Sequence, residues 1–413
     1  MLKYRAFALI SAAALLSLLI TAAGCRTGQA PPDRPGGPTM HADVVSANSA
    51  LGLDLYGHLG AGNQNLVYSP LSISLALGMS YAGARHETAD GIAQAMRSSG
   101  GAQVHAHYGA LVQSLQVEGE KDTDPTLLLA NSMWVQMGLS TGVDFLQTIE
   151  QTYRSEMRSV DFVASPEESR QLINSWVEAR TRELISDLLP SGIIRPTTRL
   201  VLVNALYFKG SWANPFSEER TRTQSFHAPA RGPIEVPMMH QQSRLRHARS
   251  KAHDVVELPY ANSSVTMLVV MPKQGSPVDL LGELTPASLS TLAAGLEAGE
   301  VALGLPRFEV RSPIRLNEPL IAMGMALAFD PDQADFSPIT RDARLFISEF
   351  VHEATITIDE RGTEAAAATA AVIGLESAPS KIVEITIDRP FAFFLRDTTT
   401  GAVLFMGQVY DPS

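Results

Sequence analysis

Apolar residues recur along this chain with two different periods, and the places where one gives way to the other mark its elements. Leu51, Leu55 and Leu59 lie at helical spacing, which predicts a helix over 49–60. From Ser69 the run SPLSISLALGMSYAGARHETADGIAQAM predicts two helices, with Pro70 suited to a first turn. Helical spacing with charges on the outer face returns in FLQTIEQTYRSEM and PEESRQLINSWVEARTRELISDLL, and a further helix is expected over NEPLIAMGMALAF. Strand-like runs separate these blocks: LLLANSMWVQM (127–137), LVLVNALYFKGSW (200–212), VVELPY, SVTMLVVMP, VALGLPRFEV and LFISEFVHEATITID. KIVEITID, FAFFLRD and AVLFMGQVYD close the chain as three more strands. No repeat of about 20–50 residues is present and no long linker interrupts 49–413. The pattern predicts a single mixed α/β (α+β) domain rather than a regular βαβ alternation.

The segment from Glu360 to Ala371, ERGTEAAAATAA, combines two conflicting signals. Repeated alanine favours helix. Yet every second residue from Thr363 (Thr363, Ala365, Ala367, Thr369, Ala371, Ile373, Leu375) is small or apolar, while the intervening set holds Glu364 and Glu376. That is the period of a strand with one buried face. Such a segment can be exposed in one state and become a central strand in another, storing free energy in a loop and releasing it by sheet insertion.

The 413 residues are 45% hydrophobic and 18% charged, enough for a sizeable core. The formal charge of -11 argues against nucleic acid as a partner, which would need a basic footprint. Lys3 and Arg5 precede an apolar stretch that ends in Ala22, Ala23, Gly24 and Cys25, the anatomy of a signal peptide over 1–24. Cys25 is the single cysteine, so neither an internal disulfide nor a thiolate-rich metal site is available. The arrangement resembles a bacterial lipoprotein signal with lipidation at Cys25; an ordinary secretory signal and a retained helical anchor are the alternatives. Residues 25–45 then read as a Pro/Gly-rich flexible tether and 46–413 as the folded domain. Arg26, rather than aspartate, follows the cysteine, which favours an outer-membrane lipoprotein on its periplasmic or cell-surface face, with secretion as the second option.

Chemistry-bearing motifs are scarce. HExxH and the phosphate loop GxxxxGK[ST] are absent, and the ten histidines are scattered without metal-ligand spacing. Neither a catalytic residue, a metal site nor a cofactor is expected.

In chain order, NLVYSPLSISLALGMSYAGA, LLLANSMWVQ, INSWVEARTRELISDLLP, LVLVNALYFKGSWANPF, LPRF, LIAMGMALAF, ADFSPI, ISEFVHEATITIDERGTEAAAAT and RPFAFFLRDTTTGAVLFMGQVYDP resemble the serpin family over essentially all of 49–413. The resemblance implies three β-sheets, about nine helices and an exposed reactive-centre loop at about 360–380. It also implies a monomer that acts as a suicide inhibitor rather than an enzyme. The target is a serine endopeptidase, with a cysteine endopeptidase as the alternative. The protease attacks the loop and forms a covalent acyl-enzyme, and insertion of the cleaved loop then distorts it. A non-inhibitory serpin acting as a binding or chaperone protein is the competing reading.

Residue by residue, the resemblance makes Glu360, Gly362, Thr363, Glu364, Ala365, Ala366, Ala367, Ala368 and Thr369 the hinge where insertion starts. Small side chains ease passage between strands. Ser69, Ser72, Asn204 and His352 match a polar cluster under the strands that must part, and Trp212 matches the top of the same sheet. Counted from Glu360, the common loop length places the reactive bond at Glu376-Ser377, with Leu375-Glu376 as the alternative register. No Arg or Lys lies between Arg361 and Lys381, so a trypsin-like target is not expected.

Overall fold

The computed structural model describes residues 42–60, 62–115, 126–363 and 382–413. Cys25, the hinge positions Glu364 to Thr369, and Leu375, Glu376 and Ser377 lie outside the described residues. Nine α-helices occur among them. The chain opens with α1 (Ala42–Leu59), β1 (Leu66–Tyr68) and α2 (Pro70–Gly83). The Ser69 hydroxyl caps α2 by accepting from the Ser72 N–H, and Pro70 occupies the first turn. Most of the circumference of α2 is buried, which explains why its sequence is apolar almost all round. Next come α3 (His86–Ala95), α4 (Gln103–Leu115), β2 (Thr126–Gln136), α5 (Val143–Tyr153), β3 (Glu156–Val160), α6 (Pro166–Arg180) and β4 (Leu200–Ser211).

The second half is richer in strands. It contains β5 (Ser217–Ala228), β6 (Gly232–Arg249), β7 (His253–Pro259), β8 (Val265–Pro272), α7 (Pro277–Glu283), α8 (Pro286–Ala294), β9 (Glu297–Pro306) and β10 (Phe308–Arg315). The chain ends with α9 (Asn317–Leu320), β11 (Ile347–Ile358), β12 (Gly362–Thr363), β13 (Val383–Thr386), β14 (Phe391–Asp397) and β15 (Val403–Val409).

These strands form a six-stranded sheet, β10-β11-β12-β4-β2-β3, and a nine-stranded array, β1-β15-β14-β8-β7-β6-β9-β13, with β5 added beside β6. The long β6 is shared by two halves of that array. Its first part pairs with β5, its middle with β9 and its last residues with β7. The expected third, smaller sheet is therefore the β5, β6, β9, β13 part of a continuous ladder.

The six-stranded sheet is covered on both faces. Leu200, Leu202, Leu206 and Phe208 of β4 join the main core, whereas Val201, Val203 and Ala205 join a second core with Ile173, Trp176 and Val177 of α6. This double burial makes β4 a continuous apolar run instead of an alternating one.

Three segments depart from their helical spacing. The Ser155–Met157 end of the run expected as α5 turns away: Arg154 adopts a left-handed backbone, and Glu156 and Met157 start β3. The helix expected to reach Leu189 stops at Arg180, because Arg182, Glu183 and Asp187 have positive φ. The run NEPLIAMGMALAF is broken at Gly324 (φ 109°), a conformation that only glycine adopts cheaply, and continues as tighter and wider turns.

Candidate functional site

The seam between β4 and β11 is where the sequence-predicted residues meet. The two strands run parallel, with Leu202 opposite Phe350, Asn204 opposite His352 and Leu206 opposite Ala354. In the middle of this otherwise apolar pairing lies a buried polar cluster. The Ser69 N–H donates to His352 Nε2 at 3.0 Å, so the other ring nitrogen, Nδ1, carries the proton and donates to the Asn204 side-chain carbonyl. The Asn204 amide donates to Ser72 Oγ at 2.7 Å and to Asn131 Oδ1 at 2.7 Å, and the Ser72 hydroxyl donates to Asn131 Oδ1 at 2.8 Å. Ser69, Ser72, Asn204 and His352 are all inaccessible to solvent. Burial pushes the His352 imidazole down to about pH 3, partly opposed by its bond to Asn204, so it is neutral under ordinary conditions. A satisfied buried network of this kind is costly to break halfway and holds the closed sheet without an interlocking apolar side chain.

At its upper end the seam is already open by two residues. After β11 the chain reverses through Asp359–Gly362. The Asp359 carboxylate accepts from the N–H groups of Arg361 (2.8 Å) and Gly362 (3.0 Å), and the Asp359 N–H donates to the Gly362 carbonyl. The returning strand β12 lies between its neighbours, antiparallel to both. Thr363 is opposite Ile358 of β11 and Gly210 of β4, and Gly362 is opposite Ser211. Gly362 has φ 154°, and a Cβ there would stand 2.0 Å from the Gly210 carbonyl oxygen, so no other residue fits without moving the strand.

Side chains hold this reversal in place. The Thr363 hydroxyl lies 2.6 Å from the Tyr260 hydroxyl. Trp212 stacks on Tyr260 (centroids 4.4 Å apart), and its indole N–H donates to the Asp359 carbonyl at 3.0 Å. Glu360 is buried, receives two 2.7 Å hydrogen bonds from Arg307 and one from the Thr221 hydroxyl. Burial raises the Glu360 carboxyl, but the bonds from Thr221 and Arg307 outweigh it and hold the group below its usual range.

Just below Thr363 a narrow cavity of about 10 Å³ continues the seam, lined by Leu206, Tyr207, Phe208, Thr355 and Thr357 and roofed by Thr181, Leu184 and Ile185. It has room for about one water molecule. The roof is the segment where the helical spacing failed.

Of the residues singled out in the sequence, Ser69, Ser72, Asn204 and His352 come together in one cluster, and Trp212, Glu360, Gly362 and Thr363 in a second at the top of the same seam. Asn131, Thr221, Tyr260 and Arg307 were missed. Their partners lie 53 to 139 residues away along the chain, and nothing local marks them. His105 is half-buried, with its ring 2.7 Å from the Tyr153 hydroxyl. The run from Gly138 to Gly142, GLSTG, has the GxSxG spacing of a hydrolase nucleophile. It is not built as a nucleophile here. Ser140 is exposed, its N–H donates to Asp342 at 2.6 Å, and the nearby His86 and His105 are engaged with Asp335 and Tyr153. Among the described residues no group of His, Cys, Asp or Glu is placed to hold a metal, and no helix is long and apolar enough to cross a membrane.

Comparison with known proteins places the seam in a wider context. A family model described as "Serpin (serine protease inhibitor)" matches residues 46–412. An uncharacterised serpin-like protein of Thermococcus kodakarensis is 36% identical over 372 residues, covering 89% of this chain and 86% of its own. Human Serpin B4 is 35% identical over 388 residues, covering 89% and 99%. Among solved structures, human thyroxine-binding globulin with its hormone superposes with a TM-score of 0.82 at 28% identity, covering 91% of this chain and all of that one. The thermophilic serpin tengpin in its native state gives 0.81 at 26%, covering 89% and 94%.

Proposed function

The chain belongs to the serpin family, and from that premise we propose that it is an irreversible suicide-substrate inhibitor of endopeptidases. Serpins as a family are protease inhibitors rather than catalysts. The observation that carries the proposal is the hinge. Gly362 and Thr363 already lie as an antiparallel strand between β4 and β11. Continued, it would set Ala365 opposite Phe208 and Ile356, Ala367 opposite Leu206 and Ala354, and Thr369 opposite Asn204 and His352. The alternating small face would then fill the core side of the opened sheet. The threonine hydroxyl, both donor and acceptor, would arrive between the two polar side chains whose mutual bond insertion must break. On the other face Glu364 would lie opposite Lys209. Insertion replaces one parallel pairing by two antiparallel ones, which are slightly more stable per residue.

The covalent step precedes insertion. The protease's nucleophilic oxygen or sulfur bonds to the Glu376 carbonyl carbon, the Glu376-Ser377 C–N bond breaks, and Ser377 leaves as a free amine with a proton supplied by the protease. The resulting acyl-enzyme would be hydrolysed by water unless insertion distorts the protease first. Leu375-Glu376 is the alternative bond. A serpin-fold binding protein, as thyroxine-binding globulin is, would give cleavage without trapping.

One gel separates these outcomes. Incubation with chymotrypsin-like, subtilisin-like, glutamyl-specific and papain-like proteases should give an SDS-stable complex with at least one of them. Thr363→Arg should turn that complex into a cleaved band, because an arginine would have to be buried unpaired. Cleavage of the parent chain by every protease with no complex by any would sink the inhibitory reading. As to location, we propose a lipid anchor at Cys25, motivated by the lone cysteine at the end of the apolar segment. Loss of fatty-acid labelling and membrane recovery in Cys25→Ser is expected, and normal labelling of that variant would place the anchor elsewhere.

A further inference from the structure

Resting on the inhibitory reading, we infer that Tyr260 is a positioning residue for trapping: its hydroxyl seats Thr363 at the head of the seam, so that insertion starts from a nucleus already formed. Tyr260 follows β7 and belongs by sequence to the nine-stranded array, yet it reaches the other sheet. It bridges to Trp212, and the N–H groups of Ala213 and Ala261 tie the two segments together through Pro259 and Ser211 at 2.8 Å. The ring is held on two sides, stacked on Trp212 and edge-on to Phe208 (centroids 4.8 Å apart). A third constraint comes from Gly210, where a Cβ would stand 2.9 Å from the Tyr260 ring. The hydroxyl is thereby fixed at 2.6 Å from Thr363 Oγ1, and both residues are only 2% exposed. Burial raises the tyrosine's pKa well above its ordinary value, so the hydroxyl keeps its proton.

The consequence is kinetic. Trapping is a race between insertion and hydrolysis of the acyl-enzyme. Parting β4 from β11 at the top is the step that gains fewest contacts, and a seated Thr363 has completed it in advance. With phenylalanine at 260, the Thr363 hydroxyl would be buried without a partner, which favours an unseated hinge. Initial attack on the bait would be unaffected, since Tyr260 bonds to Thr363, 13 residues before Glu376 in the chain.

The test is a double-mutant cycle on the full chain, using a protease that the parent traps. Tyr260→Phe and Thr363→Val should each raise the ratio of cleaved to trapped inhibitor about fivefold or more, with the rate of first cleavage unchanged. Thr363→Ser, which keeps the hydroxyl, should behave as the parent. The double variant Y260F/T363V, with both polar atoms gone, should trap better than either single variant. Amide hydrogen exchange at Gly210, Gly362 and Thr363 reads the seat without any protease. It should accelerate about fivefold or more in the single variants and slow again in the double one. Additive effects, or parental exchange and partition in Tyr260→Phe, would overturn the assignment. If the parent itself traps no protease, the inhibitory reading fails, and the exchange result still decides whether Tyr260 seats the hinge.

Discussion

Two neighbouring strand pairs in this molecule are built on opposite principles. β14 and β15 are antiparallel, flanked by β8 and β1, and present an almost unbroken apolar surface of Phe391, Phe393, Phe394, Leu395, Leu404, Phe405 and Met406, all buried. β4 and β11 are parallel, are bonded at mid-length through Asn204 and His352, and admit a third strand at one end. Large interlocking side chains hold the first pair, and a change of spacing there would cost packing throughout. In the second, apolar pairs such as Leu202 and Phe350 are interrupted at mid-length by the directional bond between Asn204 and His352, whose partners can be exchanged for equivalents at another spacing. Under the proposed insertion, the seam would part at that bond.

The comparison can be broken most forcefully from the rigid side. Phe393→Ala should cost about 3–5 kcal/mol, since the ring is fully buried against Phe308. Denaturant melts of intact and loop-cleaved protein should fall by the same amount, because the proposed insertion would leave β14 unchanged. A loss confined to one form would mean that the array takes part in opening.

The seam should answer to pH through His352. His352 has a folded value of about 3 against an ordinary 6.5, so the unfolded chain takes up a proton first. The stability it contributes is therefore complete above pH 6.5 and declines as pH falls towards 3, by roughly 5 kcal/mol at most. Melts of the parent minus those of His352→Gln, taken across that window, should show this decline. A flat difference would mean that the imidazole is not buried as described.

The smallest expected effect sharpens the contrast at the hinge. Gly362→Ala should cost about 1–3 kcal/mol, because alanine at φ 154° is strained and collides with the Gly210 carbonyl. Hydrogen exchange should speed up at 358–363 and stay unchanged in β14 and β15. Unaltered exchange at Thr363 would show that the strand tolerates a side chain there.

Much of this was legible along the chain, and the exceptions are instructive. The strand over 200–212 announced itself by apolar density, and Gly362 and Thr363 stood out as small residues after an alternating run. The polar cluster could be named only through family resemblance, since nothing about His352 in ITID-like surroundings distinguishes it from an ordinary core histidine. The helix expected to run to Leu189 ended at Arg180 because three residues with left-handed backbone turn the chain over the seam, an arrangement imposed by what lies beneath it.

By itself the sequence determined the periods of its elements, the alternating small face from Thr363 to Leu375, and the acidic net charge, because each depends only on residue type and spacing. The tertiary structure alone decided that Tyr260 of one sheet meets Thr363 of the other, that Arg307 and Thr221 hold Glu360, and that Asn131 completes the cluster at Ser72. Those contacts join residues far apart in the chain, and a hydrogen bond is set by position in space, which local pattern does not encode.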